Sequence, residues 1–487
     1  MTIEAPLPQP AQRLEKAEIK SIIFGLLVAM LLAALDQTIV GTAMPTIGRE
    51  LGDVANLPWV VTAYLLTSTV VTPLYGKLSD IHGRRIMLLW AIGIFSVGSI
   101  ACAMAPTMLV LALARGLQGM GGGGLIALAQ TIIGDIVPPR ERAQYVIYIT
   151  SVFVTSSLAG PVLGGFFADH LHWSWIFWIN LPLGLLAFLM TNSKLKRLPR
   201  HERPHKLDFL GAGLLVAATA LLLLALSWGG THYPWNSPPI LGLLAASVVL
   251  WVLFVLRLWS AEEPLIPLNL LSNQVVLTAT LAACFGMGTF IGLTIYMPVY
   301  LEGVLKFQAS VSGLALIPLM VGTVTGATLS GAMMPRMRHY KRIPMIGLSV
   351  SVAATLALAI APAHMPFVLL EVLLACISIG LGTVLPVTTI SIQNAVELHQ
   401  LGTATASMNF FRSLGGALIV AVFGTLILGG GVAGLASDLH SLRPEAVAGL
   451  EAAFRLVFGA SCAGLALTLF FIISMEERPL LDRHGKN

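Results

Sequence analysis

The chain has 487 residues, of which 56% are apolar and only 10% are charged. Soluble domains carry roughly 25% charged residues, so this composition excludes a water-soluble globular protein. The net charge of +5 follows the distribution of basic loops described below and does not indicate a nucleic-acid partner.

A polar leader, residues 1–20, precedes the first apolar run. This run is too long for a signal peptide and lacks a small-residue cleavage site, so we expect it to remain as the first membrane span. Further apolar runs follow, each long enough to cross a hydrocarbon core of roughly 30 Å as a helix. They predict fourteen spans, near 21–43, 58–76, 86–105, 108–132, 145–168, 174–192, 208–228, 239–258, 274–298, 311–333, 344–362, 366–388, 404–428 and 452–474.

Basic residues are distributed unevenly between the predicted loops. Most of the 28 Lys and Arg residues fall on the side that carries the leader, and few fall on the other side. Such a bias predicts an inner (plasma) membrane protein with both termini in the cytoplasm.

Two short basic loops, residues 76–85 after the second span and 334–342 after the tenth, indicate a weak internal repeat of the kind found in transporters. The repeat predicts two six-helix bundles with two helices inserted between them. The resulting segments are a leader (1–20), an N-terminal bundle (21–192), a basic linker (193–207), the inserted pair (208–258), a second linker (259–273), a C-terminal bundle (274–474) and a cytoplasmic tail (475–487).

Two charged residues stand inside apolar spans. A charge at the centre of a span costs about 2.5 to 3.5 kcal/mol on insertion scales, so Asp36 should face protein or a watery cavity. Counted from the span ends, Asp36 and Arg115 lie at similar depths in the outer half of the bilayer, where they are able to pair. Two roles fit the pair: a site that takes up and releases a coupling proton, or a static contact that orients two helices.

Two further charges lie nearer the span ends. Glu371, in the twelfth span, is either a second proton site or cation-attracting group, or a glutamate that reaches the outer interface. For Arg412, in the thirteenth span, we expect a structural role at anionic lipid headgroups or a helix end.

Several segments, in order along the chain, carry a family resemblance. Residues 76–85 resemble the signature loop of the major facilitator superfamily, and residues 35–45 resemble the first-span motif of its fourteen-spanner drug:proton antiporters, the EmrB/QacA type. Residues 115–119 and 160–165 resemble the fourth-span motif and the fifth-span antiporter motif. The first-span motif usually has asparagine where this chain has Gly41.

The resemblance implies an all-α major facilitator fold and a proton-coupled antiporter that exports lipophilic, often cationic, compounds by alternating access. It assigns proton coupling to Asp36 and Arg115. Glu371 is a further candidate on its position alone, because the repeat matches the twelfth span to the fourth, which carries Arg115 at a comparable depth. The motif residues are Gly76, Asp80, Gly83, Arg84 and Arg85 in a loop that latches the two halves; Arg115, Gly116, Gln118 and Gly119 in the fourth span; and Gly160, Pro161, Gly164 and Gly165 in the fifth.

The motifs also carry physical expectations. We expect Asp80 to meet a helix N-terminus or a basic partner, and Arg84 and Arg85 to anchor the loop to the inner leaflet. The glycines of the fourth and fifth spans favour close helix packing. Three residues of the ninth span are candidates for a greasy substrate cavity: Phe285, Phe290 and Tyr296.

The predicted partners are a small-molecule substrate, protons and membrane lipid. No ligand spacing indicates a metal, no nucleotide motif indicates ATP, and we expect no cofactor. The outer loop from about residue 429 to residue 451 is a candidate docking site for a periplasmic adaptor, or a plain linker. The alternative functions are export of an endogenous metabolite, siderophore or lipid, an intramembrane enzyme, and a sensor without transport; an enzyme lacks the polar cluster that it would need.

Overall fold

A computed structural model describes residues 16–52, 56–57, 59–197, 208–230, 232–307, 315–360, 365–429 and 444–480. Most of the predicted leader, most of the basic linker and most of the candidate adaptor loop lie outside these residues. The described helices are α1 (Lys16–Leu51), α2 (Trp59–His82), α3 (Arg84–Ala103), α4 (Met108–Ile136), α5 (Pro139–His170), α6 (Trp175–Trp178), α7 (Asn180–Lys194), α8 (Phe209–Trp228), α9 (Pro238–Ser260), α10 (Leu268–Ser272), α11 (Gln274–Gly303), α12 (Ile317–Met333), α13 (Arg342–Ile360), α14 (Phe367–Ala395), α15 (Leu401–Gly429) and α16 (Pro444–Ser474).

The all-helical class is confirmed for the residues that the structure describes. Among the described residues, thirteen stretches are long and apolar enough to cross a membrane. The sixth of the predicted spans consists of α6 and α7, which are separated by the single residue Ile179. The long helix α2, whose sequence is rich in threonine and serine, is not among the thirteen, so the count of fourteen stays a prediction.

Local sequence explains several helix ends. The Asn273 side chain accepts hydrogen bonds from the backbone N–H groups of Val275 and Val276 at the start of α11, and Asp208 accepts one from Gly211 at the start of α8. Such caps satisfy donors that a helix N-terminus leaves free. Prolines lie inside α11 and α14 without ending them, as membrane helices allow when neighbouring helices support the freed backbone groups.

The helices form two sets with matching packing. In the first set α1 packs on α5, and α4 packs on both α2 and α3; in the second set α11 packs on α15, and α14 packs on both α12 and α13. The packing uses glycines at matching places. A Cβ at Gly121 would clash with α3 and one at Gly380 with α13, whereas one at Gly123 would clash with α2 and one at Gly382 with α12. This match supports the predicted repeat, although the exact segment boundaries stay a prediction.

The two sets meet along two seams. The helix α2 packs on α15 at one seam, and α5 packs on α12 at the other. The C-terminal end of α2 and the N-terminal end of α15 lie at the same end of the molecule, together with Arg84, Arg142 and Arg257. We call this end the basic end and the other the opposite end.

The inserted helices α8 and α9 pack on each other and are joined at the basic end by an ion pair between Arg257 and Asp208, with Nε and Oδ1 3.1 Å apart. The helix α8 also packs on both α2 and α15. The segment expected to be a linker (259–273) contains α10, and its Leu265, Ile266 and Leu270 side chains are buried in the core at the basic end.

Candidate functional site

A large cavity lies between the two sets of helices. Its volume is about 1010 Å³, and residues of α1, α2, α4 and α5 line one wall while residues of α11, α12, α14 and α15 line the other. The deepest part is lined by Gln130, Thr389 and Arg412, and the cavity extends from there toward the opposite end, where Thr62 and Thr425 line it. Most of the surface is apolar, so the cavity suits a lipophilic molecule.

The structure places the three candidate cavity residues differently. Phe290 and Tyr296 line the cavity. Phe285 is not among its lining residues, because its ring stacks on Phe471 of α16 with ring centroids 6.0 Å apart. The assignment of Phe285 was therefore wrong: helical spacing gave its depth but not the face of α11 on which it lies.

Asp36 and Arg115 form a buried ion pair, as their depths allowed. Arg115 Nη1 lies 2.5 Å from Asp36 Oδ2, and neither residue is more than 1% exposed. Gln118 and Asn180 each donate a side-chain hydrogen bond to Asp36 Oδ1, at 2.8 and 2.9 Å. Ser99 accepts hydrogen bonds from the same two amides, so the carboxylate lies in a continuous polar cluster.

Arg115 is held from several sides. Its Nε donates to the carbonyl oxygen of Val60 at 2.9 Å, its Nη1 donates to Gln118 Oε1 at 2.6 Å, and the guanidinium lies 4.3 Å from the centroid of the Tyr64 ring. Buried charges are tolerated when they are paired and when their remaining donors are satisfied. Removing either partner would leave the other charge uncompensated.

The ion pair lies beside the cavity and not on its wall. Asp36 is fully buried, whereas the next two residues of α1, Gln37 and Thr38, line the cavity. A change in the charge of Asp36 would therefore act on the wall through α1 and α4. Sequence reasoning missed Asn180 and Ser99, because a neutral amide or hydroxyl within a span has no distinctive signal.

Glu371 does not join the pair. It lies on α14 near the opposite end and is not among the residues that line the cavity. Its Oε1 atom is buried and has no hydrogen-bond partner among the described residues. The two roles considered for Glu371 stay predictions, and neither involves contact with Asp36 or Arg115 in this conformation.

Asp80 joins the two sets at the basic end. Its carboxylate accepts hydrogen bonds from the backbone N–H of Gly402 at 3.2 Å, from the backbone N–H of Thr403 at 2.8 Å and from the Thr403 hydroxyl at 2.6 Å. These donors belong to the first turn of α15, where a carboxylate is favoured. Asp80 thus meets a helix N-terminus, and it also pairs with the basic side chain of Arg84, so it contacts both kinds of partner that we considered.

Arg84 and Arg85 bind protein groups in place of the lipid that we expected. Arg84 pairs with Asp80 and donates from Nε to Asp135 Oδ2 at 2.8 Å, and Arg85 donates to the Asn192 side chain. The lipid-anchor expectation was wrong for these contacts because partners on α4 and α7, distant in sequence, fold back to the loop.

Glycines allow the end of α2 and the loop after it to lie close to α15. A Cβ at Gly76 would clash with Ala406 and with the Gly402 backbone of α15. Gly83 has a φ of 91°, a conformation that glycine adopts without strain. At both positions the local geometry therefore explains why the motif has glycine.

A second polar contact closes the floor of the cavity. Asn409 of α15 donates to Gln130 Oε1 of α4 at 2.8 Å, and Gln393 of α14 donates to the Gln130 carbonyl oxygen at 3.3 Å. Arg142 of α5 donates to Gln393 Oε1 at 3.4 Å. The two sets are thus bonded to each other at and below the floor, while the cavity extends away toward the opposite end.

The glycines of the fourth and fifth spans support close packing, as expected. A Cβ at Gly119 would clash with α2, and one at Gly160 or Gly164 would clash with Thr38 or Thr42 of α1. The other motif glycines have more room: Gly116 has an ordinary contact with Thr67, and Gly165 has no neighbour within 4 Å. Pro161 lies inside the continuous helix α5.

The inserted helix α8 contributes to the cavity, which the sequence did not reveal. Leu223, Leu226 and Ser227 are among the lining residues. Ser227 and Thr62 of α2 have their hydroxyl oxygens 3.4 Å apart. The insertion is therefore part of the cavity wall at the seam between α2 and α15. In the part of the chain that the structure describes, no cluster of three potential metal ligands occurs.

The model of the Major Facilitator Superfamily matches residues 26–420. The chain belongs to this superfamily. It is 34% identical over 406 residues to the "Multidrug transporter protein MdtP" of Bacillus subtilis (strain 168), which covers 83% of this chain and 75% of the relative. It is also 34% identical over 412 residues to "Multidrug resistance protein 3" of the same strain, covering 85% of this chain and 80% of the relative.

The fold of this superfamily member is similar to that of a solved bacterial homologue of the iron transporter ferroportin in an outward-facing state. The TM-score is 0.67 at 12% identity, over 94% of this chain and 99% of the solved one. At this level of identity the likeness concerns the fold alone. The specific fourteen-spanner antiporter type stays a prediction.

Proposed function

We propose that this multi-pass membrane protein exports lipophilic small molecules in exchange for protons by alternating access. The observation that carries the proposal is the large, mostly apolar cavity between two matching sets of helices, closed by polar contacts at one end. The two Bacillus subtilis relatives, one named a multidrug transporter and the other a multidrug resistance protein, support drug-like molecules as the substrates.

The charge distribution supports an orientation. We place the basic end in the cytoplasm and both termini on that side of the inner membrane, following the positive-inside rule. The conformation described here is then open toward the outside and closed toward the cytoplasm. Asp80 acts as a latch in this conformation, because it ties the loop after α2 to α15.

The Asp36–Arg115 pair is the proposed coupling site. When Asp36 is charged, Arg115, Gln118 and Asn180 hold it between α1, α4 and α7. When Asp36 is protonated, Arg115 loses its counter-ion, and the arrangement of α1 against α4 becomes unfavourable. Proton binding would then favour a different arrangement of the first set and, through Gln37 and Thr38, change the cavity wall.

Uptake of a fluorescent lipophilic dye into everted membrane vesicles tests this function. We expect energised uptake with the wild-type chain, loss of uptake with a protonophore, and loss of proton-driven uptake in Asp36→Asn at equal protein level. Glu262→Gln is the control, since Glu262 is an exposed carboxylate and should leave uptake unchanged. Proton-driven uptake that persists in Asp36→Asn would reject Asp36 as the coupling site, and absence of energised uptake for every dye of a broad panel would reject export.

A further inference from the structure

One charged side chain occurs among the described residues that line the cavity. Among the described residues that line it, Arg412 carries a positive charge and no aspartate or glutamate is present. The sequence had led us to expect Arg412 at a lipid headgroup or a helix end. That expectation was wrong, because the face of α15 that carries Arg412 points into the cavity and not toward lipid.

Arg412 lies near the floor of the cavity. On α15 it follows Asn409 by three residues, or just under one helical turn, and Asn409 donates to Gln130 Oε1, which belongs to a lining residue of α4. Ser413 and Thr389 line the cavity as well. Their hydroxyl groups and the guanidinium together supply hydrogen-bond donors at the deep end of an otherwise apolar space.

No hydrogen bond or ion pair joins Arg412 to another described residue. Arg115, in contrast, has three acceptors within the chain: a carboxylate, a side-chain amide oxygen and a backbone carbonyl oxygen. A guanidinium inside a membrane protein remains charged and is stabilised by an acceptor of opposite charge. The acceptor that Arg412 lacks among the described residues is one that a bound molecule can supply.

From this geometry we infer that the cavity binds lipophilic organic anions, with Arg412 as the residue that binds their acidic group. The inference rests on the proposed export function and names its substrate class. The planar guanidinium matches a carboxylate, sulfonate or phosphate with two parallel hydrogen bonds, and the apolar walls around Phe290 cover the rest of the molecule. A cationic compound would meet a positive charge with no carboxylate among the described wall residues to offset it.

The charge of the substrate has a consequence for energetics. Export of a monovalent anion in exchange for one proton moves two positive charge equivalents inward, so an inside-negative membrane potential assists each cycle. Export of a monovalent cation in exchange for one proton moves no net charge.

Binding of two ions with the same shape and opposite charge tests the charge preference of the cavity. Neither ion carries acidic oxygens, so the comparison reports on the guanidinium charge and not on the paired hydrogen bonds. Tetraphenylborate and tetraphenylphosphonium both carry four phenyl rings on a central atom. We expect the detergent-purified full chain to bind the anion more tightly, as measured by equilibrium dialysis. Relative to the wild type in the same detergent, Arg412→Gln should reduce the ratio of anion to cation affinity by about tenfold or more, and Arg412→Lys should retain most of it.

Two further variants serve as a control and as an independent test of the binding measurement. Arg455→Gln removes an exposed arginine that pairs with Glu451 and should leave the ratio unchanged. Ser157→Asp adds a carboxylate to the opposite wall of the cavity and should reduce the ratio while Arg412 remains, which answers the case in which Arg412→Gln fails to fold. A ratio that is the same in Arg412→Gln, or in Ser157→Asp, as in the wild type would overturn the inference.

The dye assay separates this inference from the export function. Energised uptake of a neutral dye together with an affinity ratio independent of Arg412 would reject anion binding and leave export standing. An affinity ratio that depends on Arg412 without energised uptake of any compound would support the anion site and reject export.

Discussion

The two sets of helices share a scaffold and differ in where they carry charge. The helices α4 and α14 are both 29 residues long, and their glycines 121 and 380 pack on α3 and α13 in the same way. Counted from the helix starts, Arg115 of α4 corresponds to Leu374 of α14, and Leu374 is a buried core residue. The first set therefore buries an ion pair where the second set is apolar.

The cavity wall shows the reverse distribution. Gly160 of α5 and Gly415 of α15 make matching close contacts with α1 and α11, and this match aligns Ser157 with Arg412. Both residues line the cavity. The first set thus keeps its charges away from the cavity and presents a neutral residue, whereas the second set presents a charge. The difference suggests a division of roles, with proton coupling in the first set and recognition of substrate charge in the second.

Converting the first set to the chemistry of the second is the strongest test of this comparison. Asp36→Leu alone should lower the free energy of unfolding by about 3 to 5 kcal/mol, because it leaves the Arg115 charge buried without a partner. The double variant Asp36→Leu/Arg115→Leu should recover most of that loss, since an apolar pair of similar volume replaces the ions. Denaturant unfolding in one detergent, followed by tryptophan fluorescence, measures both.

The same double variant should remain inactive in proton-driven dye uptake. Recovery of stability without recovery of transport would separate the coupling role from the structural role. Equal stability of the single and double variants would instead show that the pair is not coupled in the way the geometry indicates.

The latch at the basic end tests whether the two sets separate there. Asp80→Asn weakens charge-assisted hydrogen bonds to the start of α15, each worth about 1.5 to 3 kcal/mol, and should shift the balance away from the closed conformation by about tenfold or more. The readout is labelling of a single cysteine at Thr425, in a chain whose four native cysteines are replaced, by a membrane-impermeant reagent added from either side.

Asp208→Asn is the matched control for the latch. Asp208 also caps a helix and pairs with an arginine, but the cap lies within α8 and the ion pair joins α8 to α9, so neither contact joins one set to the other. Labelling at Thr425 should therefore change in Asp80→Asn and stay the same in Asp208→Asn. Unchanged labelling in Asp80→Asn would contradict the latch.

A smaller effect tests the shared scaffold. Gly121→Ala and Gly382→Ala each introduce a methyl group against the backbone of a neighbouring helix, and overpacking of this kind costs about 1 to 3 kcal/mol. Gly93→Ala has open space around the new methyl group and should be nearly neutral. A loss confined to one of the two sets, measured by thermal unfolding, would show that the match in packing is not a match in stability.

The sequence predicted the features that depend on hydrophobic length and depth along a span. Spans follow from apolar runs, and the contact between Asp36 and Arg115 follows from depth because few charges compete for a partner inside a membrane. The orientation of a side chain around its helix is harder to predict. Arg412 and Phe285 were misplaced for that reason, since every face of these helices is apolar and the sequence does not distinguish lipid from cavity.

The sequence also did not predict contacts between segments that are distant along the chain. Asp135 and Asn192 are unremarkable in sequence, yet they bind Arg84 and Arg85 in the folded chain. Four predicted spans lie between Asn180 and Asp36 in the sequence, yet the two side chains are hydrogen-bonded. A neutral amide shows no periodicity and no charge, so only the fold reveals that it completes the buried cluster.

The position of α8 has a consequence for the surrounding lipid. Because α8 packs on both α2 and α15, this seam keeps a protein cover, whereas the seam between α5 and α12 has no comparable cover among the described helices. Of the two seams, the one between α2 and α15 is therefore the more shielded from acyl chains. A compound dissolved in the bilayer would therefore reach the cavity more easily between α5 and α12 than between α2 and α15.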